Sequence, residues 1–195
     1  MNLLAHFYLS YPDEALTAGN FLGDFIKGRQ YQQFQPAISR GIMLHREIDS
    51  FTDQHRLHRR SKRRLHSRYG HYAGVAVDMF YDHLLASAWN QYADLPLKDF
   101  STHIYQILEK HQAYFPENAR YVLRYMRQHD WLYSYREIKG IGKALEGISR
   151  RTAYRSYLEQ SVVDLQENFL FFEEDFASFF PELILHIRNH LSFLT

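Results

Sequence analysis

Apolar residues along this chain recur at intervals of three and four, and strict period-two alternation is hard to find. That spacing predicts helices over 13–27, 36–53, 57–68, 72–93, 98–113, 117–134, 141–148, 151–176 and 181–193. The five prolines, Pro12, Pro36, Pro96, Pro116 and Pro181, read as helix openers, and acids stand just after four of them (Asp13, Asp99, Glu117, Glu182). A proline at a first turn loses no hydrogen bond, and an acid there meets the positive end of the helix dipole. The stretch 72–93 is apolar nearly all round, the pattern of a buried central helix. No linker-like segment or internal repeat divides the chain. The expectation is an all-α, single compact multi-helix domain spanning 1–195.

Composition narrows the chemistry. Val and Thr number only 5 each, which removes the usual strand formers, while 15 Tyr, 15 Phe and 2 Trp supply a large core. With Cys at 0, disulfide scaffolds, thiolate zinc sites and cysteine nucleophiles are excluded together. No apolar run approaches the ~18–20 residues of a membrane span, and Met1–His6 lacks a basic leader, so the cytoplasm is the expected address. A net charge of +1 gives no global pull toward nucleic acid, and oligomeric state is left open.

Charge is nevertheless sorted along the chain. Arg56, Arg59, Arg60, Lys62, Arg63, Arg64 and Arg68 crowd one helix, and no acid lies between Asp53 and Asp78. From Ser156 to Ile187 there is no Lys or Arg. Two readings stand side by side: these are solvated faces partly paired with each other, or the basic helix docks an acidic partner through a salt-sensitive field.

Helical phase points to a site. At about 100° per residue, Ile38, Ile42, His45 and Asp49 fall on one side of their helix. On 72–93, Val75, Asp78, Met79, Asp82, Ala86 and Trp89 share a face. Two carboxylates one turn apart on a buried helix repel and are costly to desolvate unless a cation lies between them. A divalent metal answers that; so would arginines from the basic helix, and His45–Asp49 alone would serve as a helix-stabilising pair. Oxygen ligands with imidazole and no thiolate favour Mn²⁺, Mg²⁺ or Fe²⁺. Asp53 and His55 read as groups that orient ligands or as capping residues. Phase on 13–27 places Asp24 with Thr17 and Asn20, opposite the apolar side, which reads as solvated. His129-Asp130 is a contiguous His-Asp dipeptide, weak in isolation.

Several spaced motifs resemble one family. Met1-Asn2-Leu3-Leu4-Ala5-His6, Gly19-Asn20-Phe21-Leu22-Gly23-Asp24-Phe25, Gly41-Ile42-Met43-Leu44-His45-Arg46-Glu47-Ile48-Asp49, Phe51-Thr52-Asp53 and Asp78-Met79-Phe80-Tyr81-Asp82-His83 are similar to the acyl carrier protein phosphodiesterases. The resemblance implies a Mn²⁺-dependent, HD-domain-like helical enzyme that cleaves the phosphodiester joining 4′-phosphopantetheine to a carrier serine. It implies that Asp24 is the essential aspartate, with His45, Asp49, Asp78 and Asp82 among the metal ligands beside it. His6, His55 or His83 are the candidates for general acid, and the basic helix is the candidate landing strip for acyl carrier protein. The alternatives are an HD-type nucleotide phosphohydrolase and a non-catalytic helical adaptor for an acidic protein.

Overall fold

The computed structural model describes residues 1–152 and 155–192. Its helices are α1 (Leu3–Ser10), α2 (Glu14–Leu22), α3 (Pro36–Gln54), α4 (Arg56–Tyr69), α5 (Ala73–Ser87), α6 (Leu97–His111), α7 (Glu117–Gln128), α8 (Trp131–Ser134), α9 (Ile138–Ser149), α10 (Ser161–Glu167) and α11 (Phe169–Ser192). Short 3-10 turns join several of them, and no strand occurs among the described residues. The fold is all-α. No helix among these residues is long and apolar enough to cross a membrane.

α5 is the buried centre that its sequence predicts: Ala76, Val77, Met79, Phe80, Tyr81 and Leu85 are fully enclosed. α1 and α4 pack on it, and α11 crosses both α4 and α5. The apolar stripe of α11, Phe172, Phe176, Phe179, Phe180, Leu183 and Ile187, follows helical spacing and goes almost wholly inside. Each fully buried side chain of this size contributes roughly 1.5–3 kcal/mol of transfer free energy.

α2 and α3 lie backbone against backbone. A Cβ on Gly19 would stand 2.1 Å from the Ile38 carbonyl oxygen, and one on Gly41 would stand 2.3 Å from that of Leu16. Any side chain at either position would wedge the two helices apart. This contact sets the register that brings Asn20 and Gly23 against His45.

Six expectations need correction. α1 is a helix that the periodicity does not reveal, because it is buried on nearly every side and so has no polar stripe. The element expected over 13–27 stops at Leu22; the Phe25 and Ile26 amides both turn back to the Leu22 carbonyl, at 2.9 and 3.0 Å. The element expected over 72–93 ends at Ser87 and gives way to a 3-10 turn at Trp89–Gln91. The one expected over 117–134 breaks at Asp130, which adopts a left-handed conformation with φ 46°. Pro181 opens nothing, since it lies inside α11. Before it, α10 and α11 replace the single helix expected from 151, whose residues 153 and 154 lie outside the described residues, as does residue 193 of the last expected helix.

Candidate metal centre

The site begins with α1. Its first turn is held by Asp82 of α5, whose two carboxylate oxygens accept from the Leu4 and Ala5 amides at 2.7 and 3.2 Å. Asp82 is fully enclosed, and burial pushes its carboxyl up to about 7, against the pull of those amides. With both oxygens spent on the α1 backbone, it serves as a helix cap supplied from a neighbouring helix. This corrects its expected place among the metal ligands.

So anchored, α1 points His6 at α3. The Asn20 side chain donates to the His6 carbonyl at 2.9 Å, which leaves its own oxygen, 2.9 Å from His6 Nδ1, as the acceptor. Nδ1 therefore carries the proton of the neutral ring, and Nε2 presents a bare lone pair. That lone pair is buried, has no hydrogen-bond partner among the described residues and faces Asp49 Oδ1 at 3.2 Å. Two electron-rich atoms at that distance require a proton or a cation between them. Burial and the neighbouring His45 hold the His6 imidazole below its ordinary value, so protonation is disfavoured there.

His45 completes the pair. Its ring stacks on His6 with centroids 4.2 Å apart and planes 25° from parallel. Its Nε2 lies 3.1 Å from Asp49 Oδ2 and 3.5 Å from Asp24 Oδ1. A Cβ on Gly23 would sit 2.2 Å from His45 Cγ, so the bare backbone there is what leaves room for the ring. Ligand atoms from His6, His45 and Asp49 lie within 4.8 Å of one another. Burial works against ionisation of Asp49, but the His45 and His6 imidazoles outweigh it and hold the carboxyl far below the usual range. Burial lowers His45 as well, yet Asp49 and Asp24 more than compensate and raise it. Two nitrogens and a firmly ionised carboxylate, converging with one lone pair unanswered, fit a divalent cation.

The other expected site residues scatter. Asp24 comes to the centre from the turn beyond α2, not from a helical face, and its side chain stays 53% exposed while reaching His45. Asp78 lies beside the group and lines a cleft of about 290 Å³ with Asp24, Asp49 and Asp53. Its Oδ1 is 3.0 Å from His58 Nε2 and 3.1 Å from the Met1 nitrogen. Burial would raise the Asp78 carboxyl, but the Met1 ammonium and His58 bring it down to about 2. His55 caps α4 by accepting from the Leu57 amide and reaches Glu182 at 3.1 Å. His83 turns to the Tyr135 carbonyl at 2.7 Å. Neither belongs to the group that His6 forms with His45 and Asp49. Asp130 of the His129-Asp130 dipeptide pairs with Lys98.

Two residues beyond those expected matter: Asn20, which fixes the His6 tautomer, and His58, which backs Asp78. His58 shares the buried face of α4 with Leu57, Ser61 and Leu65, a pattern readable in the sequence. Nothing in helical spacing marks Asn20, since its role depends on the crossing of α1 and α2.

The basic helix is partly consumed within the fold. Arg60 and Arg64 both bind Asp175, which is fully buried and also accepts from Ser61 at 2.7 Å. Arg68 pairs with Asp164 at 2.6 Å. Arg56, Arg59 and Arg63 are exposed, Lys62 is half-buried, and Arg59 also donates to the Asp53 carbonyl at the edge of the cleft. The reading of mutually paired faces accounts for three of the seven cations.

The fold and this cluster define a class: an all-helical protein with a His–His–Asp group of metal-binding type opening on an acidic cleft. No solved structure gives a significant match. The family model for acyl carrier protein phosphodiesterase matches residues 1–183, and the chain belongs to that family. Relatives bearing that name include one from Serratia proteamaculans, 30% identical over 190 residues, covering 97% of this chain and 98% of its own. Another, from Photorhabdus laumondii subsp. laumondii, is 28% identical over 190 residues, covering 97% and 96%.

Proposed function

We propose that the protein hydrolyses the phosphodiester between 4′-phosphopantetheine and the serine of holo-acyl carrier protein, releasing the prosthetic group and the apo carrier. His6, His45, Asp49 and Asp24 hold a divalent cation, Mn²⁺ by the chemistry of the donor set. Such a cation, when bound, acidifies a water and offsets charge on the phosphoryl oxygens. The water oxygen joins phosphorus, the bond from phosphorus to the serine oxygen breaks, and the serine leaves with a proton. Asn20 keeps His6 Nε2 unprotonated and aimed, and Gly23 keeps His45 in place. Asp78 stays ionised beside the centre and adds negative field at the cleft. The observation that carries this reading is the unpartnered His6 nitrogen facing Asp49, an arrangement that has no role in a helical adaptor.

Arg56, Arg59, Lys62 and Arg63 are proposed as the landing strip for the acidic carrier, at the side of the cleft where Arg59 meets Asp53. Arg60, Arg64 and Arg68 are withdrawn from that role by their internal partners. The test is to incubate the protein with holo-carrier and Mn²⁺ and weigh the carrier. Loss of the prosthetic-group mass, abolished by chelation and restored by Mn²⁺, is the expected result; an unchanged carrier mass overturns the function.

A further inference from the structure

A second and larger cavity, of about 870 Å³, opens beside the acidic cleft and shares Asn2, Asp24 and Ile148 with it. Its size falls within the ~300–1,000 Å³ of small-molecule sites. The face of α9 that forms one wall is small in the middle, at Gly140, Ala144 and Gly147, and cationic along its length, at Lys139 and Lys143, with Arg151 just past its end. The wall from α7 and α8 brings Tyr125, His129 and Ser134 together with Val122 and Trp131. Polar and apolar groups thus both line the cavity, and Asp24 belongs to its wall and to that of the cleft.

A phosphodiester held at the centre has two substituents, and they differ in bulk. A folded carrier cannot enter a cavity of this size, whereas a slender chain of methylenes and amides can. The carrier serine must therefore approach from the open side, where Asp53 and the exposed arginines of α4 lie. The other substituent is left facing the α9 cavity. We infer that this cavity receives the pantetheine arm, with its phosphate end at Asp24, Lys139 and Lys143 offering counter-charge, and its far end toward Val122 and Tyr125. The inference rests on the proposed reaction and goes beyond it by assigning the two substituents to opposite sides of the centre. The mixed lining suits an arm that alternates amides with methylene and methyl groups.

Gly147 provides the test, because a Cβ built there meets nothing within 4 Å and its backbone is ordinary helix. A side chain there starts from open space at the cavity wall, so a large one narrows the cavity. Gly147→Trp and Gly147→Ala are compared with the unaltered protein in Mn²⁺ binding, in holo-carrier cleavage and in calorimetric binding of free 4′-phosphopantetheine. The expected result is that Gly147→Trp keeps Mn²⁺ binding and its melting temperature but loses about tenfold or more in kcat/KM and in affinity for 4′-phosphopantetheine, the cost of removing a contacted pocket. Gly147→Ala, which fills less of the cavity, loses less than Gly147→Trp. If the unaltered protein cleaves holo-carrier and Gly147→Trp matches it in both cleavage and 4′-phosphopantetheine binding, the assignment of the cavity is overturned and the reaction stands. If the unaltered protein cleaves nothing, the reaction itself is overturned and the assignment with it.

Discussion

Asn20 decides which nitrogen of His6 is free, and so it decides what the centre can bind. Removing such an orienting partner costs metal affinity by about 10–100-fold in comparable sites. Asn20→Ala is predicted to weaken Mn²⁺ binding by that factor in a calorimetric titration; unchanged affinity would show that His6 is not held as a ligand. Gly23→Ala is predicted to displace the His45 ring and lower cleavage of holo-carrier sharply, with an overpacking cost of about 1–3 kcal/mol in stability. Asp82 makes a prediction of opposite character. Its folded carboxyl is raised to about 7, so its contribution to stability is full below the ordinary value of about 4 and is lost as pH rises through about 7. Asp82→Asn carries no such titration. Denaturant melts at several pH values should show the unaltered protein losing stability relative to Asp82→Asn between about pH 4 and 7, and parallel curves would contradict that. At this scale the sequence was informative where helical phase applies: His45 and Asp49 do share a face. It read Asp24 as solvated, and the side chain is exposed, but on a turn two residues past the helix end; the partners of Asp82 are amides of a helix that periodicity does not show.

At the scale of elements, the pairing of α4 with α11 is the clearest case. Asp175 is enclosed and answered by two arginines and a serine. Cutting away one partner of a buried pair leaves charge stranded, at a cost of about 3–5 kcal/mol. Asp175→Ala is therefore predicted to destabilise by about 3 kcal/mol in urea unfolding, while the exposed Arg63→Ser leaves stability within about 0.5 kcal/mol. The reverse order would mean that the acidic helix is a solvated face. Both charge runs were visible in the sequence; their mutual pairing was one of two open readings, because registry between distant helices depends on tertiary packing. Pro181 shows the same limit: local rules favour a helix start, but the apolar stripe from Phe172 to Ile187 gains more by continuing inside one helix than by stopping.

At the scale of the whole molecule, two openings of different character share Asp24, which reaches the centre. One is acidic and borders Arg59 of α4; the other is larger, mixed in polarity and lined by the cations of α9. Replacing Arg56, Arg59 and Arg63 together by Ser is predicted to raise KM for holo-carrier and flatten its dependence on salt, with kcat little changed; an unaltered salt slope would remove the landing strip. Fold class and family were legible in the sequence from the spaced motifs of the first half. The α9 cavity was not, since it arises from helices far apart in the chain. The central claim is that His6, His45 and Asp49 gather around a divalent cation. Anomalous diffraction from crystals soaked in Mn²⁺ tests it most directly: the account predicts a manganese peak bonded to His6 Nε2, His45 Nε2 and an Asp49 oxygen, and a peak elsewhere or none at all would contradict it.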